Sequence, residues 1–115
     1  MEDTIRIILV DDHNMVRIGL KAYFSTLPDI QVVGEASSGE EAVRLADTLS
    51  PDVALMDLIM PGMDGVEATR QVKKVSPRTQ VIVVTSYHED EHIFPALRAG
   101  ALSYVLKNID PDDLA

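Results

Sequence analysis

The sequence predicts an α/β domain built on a parallel sheet, and three observations carry that prediction. Strand-like and helix-like patterns alternate five times along 115 residues; the strand-like runs are almost wholly apolar, without polar alternation; and most of them end in a charged or hydroxyl residue. Apolar runs of this kind belong to strands covered on both faces, with helices as right-handed crossovers. At this length the chain has room for one core, so residues 1–115 are read as one domain.

Ile5 to Val10 is a continuous strand-forming run that ends in Asp11-Asp12. From Asn14 the period becomes helical, with Val16, Leu20, Tyr23, Phe24 and Leu27 on one face and Pro28-Asp29 as the stop. Met15, Ile18 and Ala22 form a second apolar stripe, roughly 130° away by the 3.6-residue period. That stripe reads equally well as a docking surface for a partner protein or as a contact to a fifth helix. Ile30 to Ala36 is a weaker strand, interrupted by Gln31, Gly34 and Glu35, and is expected at an edge. Ser38 with Glu41 reads as a capping box opening a helix over 39–49, whose buried side is Ala42, Val43, Leu45, Ala46 and Leu49.

Val53 to Met56 lead into Asp57, and Pro61-Gly62 and Asp64-Gly65 supply two turn signals directly afterwards. A carboxylate at the end of a core strand, followed at once by turns, is expected at a mouth rather than in a core. Asp64 with Glu67 repeats the capping signal for a third helix running to about Val75. Gln80 to Val84 is a fourth strand ending at Thr85-Ser86. Pro95 interrupts the next apolar pattern, and proline is tolerated only in a helix's first turn, so this helix is expected to start late, around 91–94, or to kink; Gly100 is its stop. Ser103 to Leu106 is a fifth strand ending at Lys107. Asp110-Pro111-Asp112-Asp113 opens a fifth helix that is cut short at Ala115, leaving sheet surface through which the chain is expected to self-associate.

Composition limits the function classes. The formal net charge of −9 argues against direct binding of DNA or RNA, which needs a basic surface. No apolar run is long enough to span a membrane, the first residues Met1-Glu2-Asp3 are acidic where a signal peptide is basic, and cysteine is absent, so a cytoplasmic protein is expected.

The residues at the C-terminal ends of the core strands form the candidate site: Asp11 and Asp12, Asp57, Thr85 and Lys107. In open α/β sheets ligands bind at this edge, where the strand order reverses. One such aspartate is usually a turn or cap residue; five polar residues converging on one edge are not explained that way. Close carboxylates repel by an amount on the order of 4 kcal/mol per pair at an effective dielectric near 20. Oxygen donors without cysteine favour a hard cation, Mg²⁺ or Mn²⁺. Lys107 and Thr85 beside it suit a phosphoryl group, one neutralising and one donating to its oxygens, with Asp57 as nucleophile. His13, His88 and His92 are read as surface residues, because a ligand set needs converging partners.

These residues resemble, over the full length of the chain, the receiver domain of bacterial two-component response regulators. Asp11-Asp12, the run from Met56 to Gly65, Thr85 and Lys107 stand where that family has its acidic pair, phospho-acceptor and turn, switch hydroxyl and lysine. The resemblance implies a flavodoxin-like, doubly wound five-stranded parallel sheet of order 2-1-3-4-5. It implies that Asp57 takes a phosphoryl group from a sensor histidine kinase, with Mg²⁺ held by Asp12, Asp57 and the backbone carbonyl of Ile59, and by Asp11 through water. It implies further that Thr85 moves toward the phosphoryl group, that Tyr104 turns inward behind it, and that dimerisation follows. Asp11-Asp12-His13, Val16-Arg17-Ile18-Gly19-Leu20 and Leu97-Arg98-Ala99-Gly100-Ala101 are similar to the branch with a LuxR-type helix-turn-helix output, a DNA-binding domain not contained in this chain. Asn108 follows Lys107 where the wider family has a proline in a cis peptide; cis before a non-proline residue costs ~2.5–4 kcal/mol, which argues against that feature here.

Three other readings compete. A haloacid-dehalogenase-type phosphatase also uses an aspartate and Mg²⁺, but has Asp-x-Asp where this chain has adjacent aspartates. A flavodoxin would place a flavin phosphate against Asp11 and Asp12, with no glycine- or hydroxyl-rich cradle to receive it. A receiver-like module binding partners without phosphorylation would not need the complete set of five residues.

Overall fold

The computed structural model describes residues 4–58, 60, 62–85 and 93–106, and only the backbone at 85, 93, 94 and 103–106. Its elements follow the expected alternation: β1 (Ile5–Val10), α1 (Asn14–Phe24), β2 (Ile30–Ala36), α2 (Gly39–Leu49), β3 (Val53–Asp57), α3 (Gly65–Val75), β4 (Gln80–Thr85), α4 (Ile93–Ala99) and β5 (Ser103–Leu106). The strands form one parallel sheet of order β2-β1-β3-β4-β5, with β2 at an edge. The register of β1 against β2 shifts between Ile7 and Ile8, a bulge on the strand whose polar interruptions mark it as peripheral. The expected start of a fifth helix at 110–113 and the Lys107-Asn108 peptide lie outside the described residues.

Each central strand is apolar throughout because its alternating side chains enter two different cores. Ile8, Val10, Ala54, Met56, Val81 and Val83 point to one face, where Ala42, Ala46, Ala68, Val72 and Ala96 of α2, α3 and α4 meet them. The helices contribute mostly alanine to this layer, so their backbones approach closely and the strands supply the bulk. Ile7, Leu9, Leu55 and Val84 point to the other face, against Phe24 of α1. Among the described residues that second face is less covered: Ile5 is exposed, and an open groove of about 130 Å³ runs past Ile30, Val53 and Ile82.

The helix ends are set by local chemistry. Ser38 Oγ accepts from the Glu41 N–H at 3.2 Å, and Asp64 Oδ1 accepts from the Glu67 N–H at 2.9 Å. Only this half of each expected capping box forms: the Glu41 carboxylate accepts from Ser37, and that of Glu67 pairs with Arg70 and Gln71. The first helix ends at Phe24, short of the proline expected to stop it. Ser25 and Thr26 donate their hydroxyls back to the Ala22 and Tyr23 carbonyls, both at 2.7 Å, which offers the backbone an alternative to another turn. Among the described residues the Pro95 helix begins at Ile93, within the expected 91–94. It closes at Gly100, which has φ +122°; its N–H donates to Leu97 O and that of Ala101 to Ala96 O, the two bonds of a Schellman cap.

Candidate functional site

The switch point of the sheet lies between β1 and β3, where the chain leaves β1 for one side and later returns on the other. Val10 pairs with Met56 in this ladder, so the next residues, Asp11 and Asp57, are neighbours at the carboxyl edge. The Asp11 N–H still donates to Ala36 O of β2, at 3.1 Å, and carries the sheet one residue further. Asp57 is not at an open mouth. Its side chain is 1% exposed, that of Asp11 is 6% exposed, and only Asp12 reaches outward, at 26%.

His13 joins these three carboxylates. Its N–H donates to Asp11 Oδ1 at 2.8 Å, a short local loop that turns the chain toward α1. Its ring Nδ1 stands 2.8 Å from Asp11 Oδ1, 3.1 Å from Asp12 Oδ1 and 4.0 Å from Asp57 Oδ2. One ligand atom from each of Asp11, Asp12, His13 and Asp57 falls within 4.8 Å of all the others. The ring is exposed, as its place in a turn suggests, but it has the converging partners that a surface histidine lacks. The sequence signal available for it was adjacency to the acidic pair.

Bonds from Arg17 and Lys21 fix this edge. Arg17 donates through Nη1 to the Asp11 carbonyl and through Nη2 to Asn14 Oδ1 at 3.0 Å, while its Nε stands 3.4 Å from Glu35 Oε1. Lys21 Nζ lies 2.9 Å from the other oxygen of Glu35. The bond from Lys21, opposed by some desolvation and helped by Arg17, holds the Glu35 carboxyl below its usual range. Arg17 and Glu35 lie on α1 and β2, and the sequence gives no sign that they meet over the Asp11 carbonyl.

The loop after Asp57 is packed as tightly. The Gly65 N–H donates to Leu58 O at 2.8 Å, and a Cβ on Gly65 would stand 2.2 Å from the Asp57 carbonyl oxygen. Buried Thr69 donates its hydroxyl to Gly65 O at 2.7 Å and ties the first turn of α3 to this contact. A Cβ on Gly39 would meet Met63 O at 2.9 Å, so the start of α2 closes on the same loop. Gly62 has φ +75°, the left-handed conformation that makes glycine the natural residue at this turn.

The sheet also brings the backbone of the other expected residues to this edge. Val84 pairs with Asp57, so Thr85 lies one residue beyond it and pairs in turn with Leu106 of β5. Tyr104 pairs with Val83. Ile59 and Lys107 lie outside the described residues. The clustered donors fit Mg²⁺: they are mainly carboxylate oxygens, close enough to share one ion whose charge offsets their repulsion.

Residues 7–115 match the family model of the response regulator receiver domain. The chain belongs to this family. Among curated relatives it is 53% identical over 111 residues to the transcriptional regulatory protein LiaR of Bacillus subtilis, covering 96% of this chain and 53% of LiaR. It is likewise 53% identical over 112 residues to the response regulator protein VraR of Staphylococcus aureus, covering 97% of this chain and 54% of VraR. The receiver domain thus spans about half the length of these relatives. Among solved structures it is similar to a LuxR-family two-component response regulator from Aurantimonas, with a TM-score of 0.89 at 39% identity over 96% of this chain and 79% of that one. The response regulator domain of CheB from Thermotoga maritima aligns with a TM-score of 0.84 at 39% identity, over 94% and 81%. Receiver membership and the acidic cluster together make the chain a phospho-relay switch that acts on its own aspartate rather than a conventional enzyme. The branch expected from Asp11-Asp12-His13 and the Val16 to Leu20 run is the one its relatives occupy.

Proposed function

We propose that Asp57 is the phospho-acceptor of this switch and that a sensor histidine kinase is its phosphodonor. The observation that carries the reading is the position of Asp57: buried at the sheet's switch point, with two further carboxylates within reach of one shared cation. Asp12, Asp57 and the carbonyl of Ile59 would hold Mg²⁺, with Asp11 reaching it through water. When bound, that ion offsets the charge of the carboxylates and of the incoming phosphoryl oxygens.

The protein's own residues do the rest. An oxygen of Asp57 attacks phosphorus as the phosphorus–nitrogen bond to the donor histidine breaks, and the electron pair of that bond stays with the imidazole. Lys107 neutralises a phosphoryl oxygen and Thr85 donates to another. Tyr104, on the neighbouring strand, follows Thr85 and alters the surface of α4 and β5. This change promotes dimerisation and controls a DNA-binding output domain, as the name of LiaR and the share of it that this chain spans suggest. The absence of cysteine suits the reducing cytoplasm as the place of action.

The test is to incubate the chain with a small phosphodonor and Mg²⁺ and to weigh it. A single phosphoryl adduct that disappears with Asp57→Asn or with chelation is expected. No adduct with any donor would sink the proposal. Sedimentation of the phosphorylated and unmodified forms then reads dimerisation, which is expected to strengthen with phosphorylation.

A further inference from the structure

We propose that Thr69 is a positioning residue for the phosphorylation of Asp57: its hydroxyl locks Gly65, and Gly65 holds the backbone of Asp57 and Leu58 in place. The inference rests on the reading of Asp57 as phospho-acceptor and adds to it a residue outside the acidic cluster.

The need for a lock follows from Gly65. A Cβ there would stand 2.2 Å from the Asp57 carbonyl oxygen and 2.5 Å from Leu58 Cα, so only glycine lets α3 begin this close to the end of β3. Glycine also has the widest choice of backbone angles, so the contact that needs it is easily lost to backbone motion. Two bonds remove that freedom. The Gly65 N–H donates to Leu58 O at 2.8 Å, and the Thr69 hydroxyl donates to Gly65 O at 2.7 Å. The peptide groups on both sides of the Gly65 Cα are thereby tied, one to the residue after β3 and the other to the second turn of α3.

Packing alone does not require this hydroxyl. Gly65, Ala68, Thr69 and Val72 form the buried side of α3, and valine would fill the place of Thr69 with the same branched shape. A buried hydroxyl costs free energy unless it is bonded. Thr69 directs its bond back to the carbonyl four residues earlier, an arrangement that bends a helix slightly, and the bond falls on the turn of α3 that abuts Asp57. Phosphoryl transfer depends on alignment of the attacking oxygen with phosphorus, and a misplacement of about 1 Å costs about a hundredfold in rate. Thr79 is the internal comparison. It is buried as fully and its hydroxyl donates to Pro51 O at 2.7 Å, but it precedes β4 at the amino edge of the sheet, away from Asp57.

The experiment compares the whole wild-type chain with Thr69→Val, Thr69→Ser and Thr79→Val, all well below their melting temperatures. Formation of the phosphoryl adduct from acetyl phosphate and Mg²⁺ is followed by mass. At saturating donor the rate is expected to fall about three- to tenfold in Thr69→Val, as for a shift of a fraction of an ångström, with the half-saturating donor concentration unchanged. Thr69→Ser keeps the hydroxyl and is expected to restore the rate to within about twofold. Thr79→Val loses a buried hydroxyl elsewhere and is expected to leave the rate unchanged. Hydrogen exchange read by magnetic resonance is expected to show the Gly65 amide opening faster in Thr69→Val and in neither of the other variants. A wild-type rate or wild-type Gly65 exchange in Thr69→Val, no recovery in Thr69→Ser, or equal slowing in Thr79→Val would each overturn the proposal. An adduct that forms equally on all four proteins removes Thr69 alone; no adduct on the wild type removes the reading of Asp57 and the proposal with it.

Discussion

Gly65 is pressed against Asp57: a methyl group added to it would stand 2.2 Å from the Asp57 carbonyl oxygen and 2.5 Å from Leu58 Cα. Both atoms are backbone, so neither can swing aside. Helix propensity alone would favour Gly65→Ala by up to about 1 kcal/mol. Overpacking of about 1–3 kcal/mol opposes it, and the rigid neighbours put this case at the upper end. The expected result is a net destabilisation of about 2 kcal/mol in urea unfolding, with slower phosphorylation because the Asp57 backbone must shift. Unchanged stability would show that the loop yields where its packing says it cannot.

The crowding of Asp11, Asp12 and Asp57 makes a prediction of opposite sign. Without a divalent cation these carboxylates repel at short range, and Asp57→Asn removes one charge while nearly preserving shape. In the presence of a chelator the variant is expected to be more stable than the wild type by about 1–3 kcal/mol, part of a repulsion on the order of 4 kcal/mol per close pair. Added Mg²⁺ should raise the melting temperature of the wild type more than that of the variant, because only the wild type offers the full donor set. Melting curves of both proteins with and without Mg²⁺ check both signs.

Asp52 is a structural carboxylate at the opposite edge of the sheet. Its Oδ2 accepts from the Arg6 N–H at 2.8 Å, its Oδ1 pairs with Arg78, and its backbone bonds to both Arg6 and Gln80. The bond from Arg6, with the nearby Arg78 guanidinium, holds its carboxyl below the usual aspartate range despite some desolvation. A carboxyl depressed in the folded state adds stability that is fully present above its unfolded value, about pH 3.9, and fades as pH falls through the lower folded value. Asp52→Ala is therefore expected to cost about 1–2 kcal/mol at neutral pH, the scale of a charge-assisted bond at a partly exposed site. The gap between wild type and variant should narrow as the pH falls below about 4. Urea unfolding at several pH values measures it, and a gap that widens toward acid would reverse the assignment.

Much of this was legible in the chain because punctuation and period agree. Ser38 and Asp64 fix where α2 and α3 begin, and Gly100 closes α4. The apolar runs give the strands, and a carboxylate directly after β1 and another at the end of β3 give the site. What the sequence did not disclose depends on the reach of side chains between elements. The hydroxyls of Ser25 and Thr26 end α1 early through bonds that no hydrophobic period encodes. Asp57 is buried, with the His13 ring 4.0 Å away, which strand spacing does not reveal. Arg17 and Glu35 look like ordinary surface charges until β2 is laid beside β1 and α1 is folded back across both.

That last network yields a prediction about chemistry rather than mass or charge. Arg17 is 15% exposed; it donates to Asp11 O and Asn14 Oδ1 and forms an ion pair with Glu35 at 3.4 Å. Arg17→Ala leaves Glu35 with Lys21 alone and frees the carbonyl that sets the direction of the acidic pair. The expected cost is about 1–3 kcal/mol of stability, as for loss of a charge-assisted bond in a partly buried site, together with weaker divalent-cation binding. Arg17→Lys should not restore it, because one ammonium cannot reach three acceptors that a planar guanidinium bridges. Glu35→Gln should be milder, since the Asp11 contact is untouched and an amide oxygen can still accept from Lys21. Calorimetric cation titration of the three variants ranks them, with Arg17→Ala and Arg17→Lys expected together and Glu35→Gln close to the wild type. A lysine variant that binds as the wild type does would show that the charge, and not the fork, holds Asp11 in place.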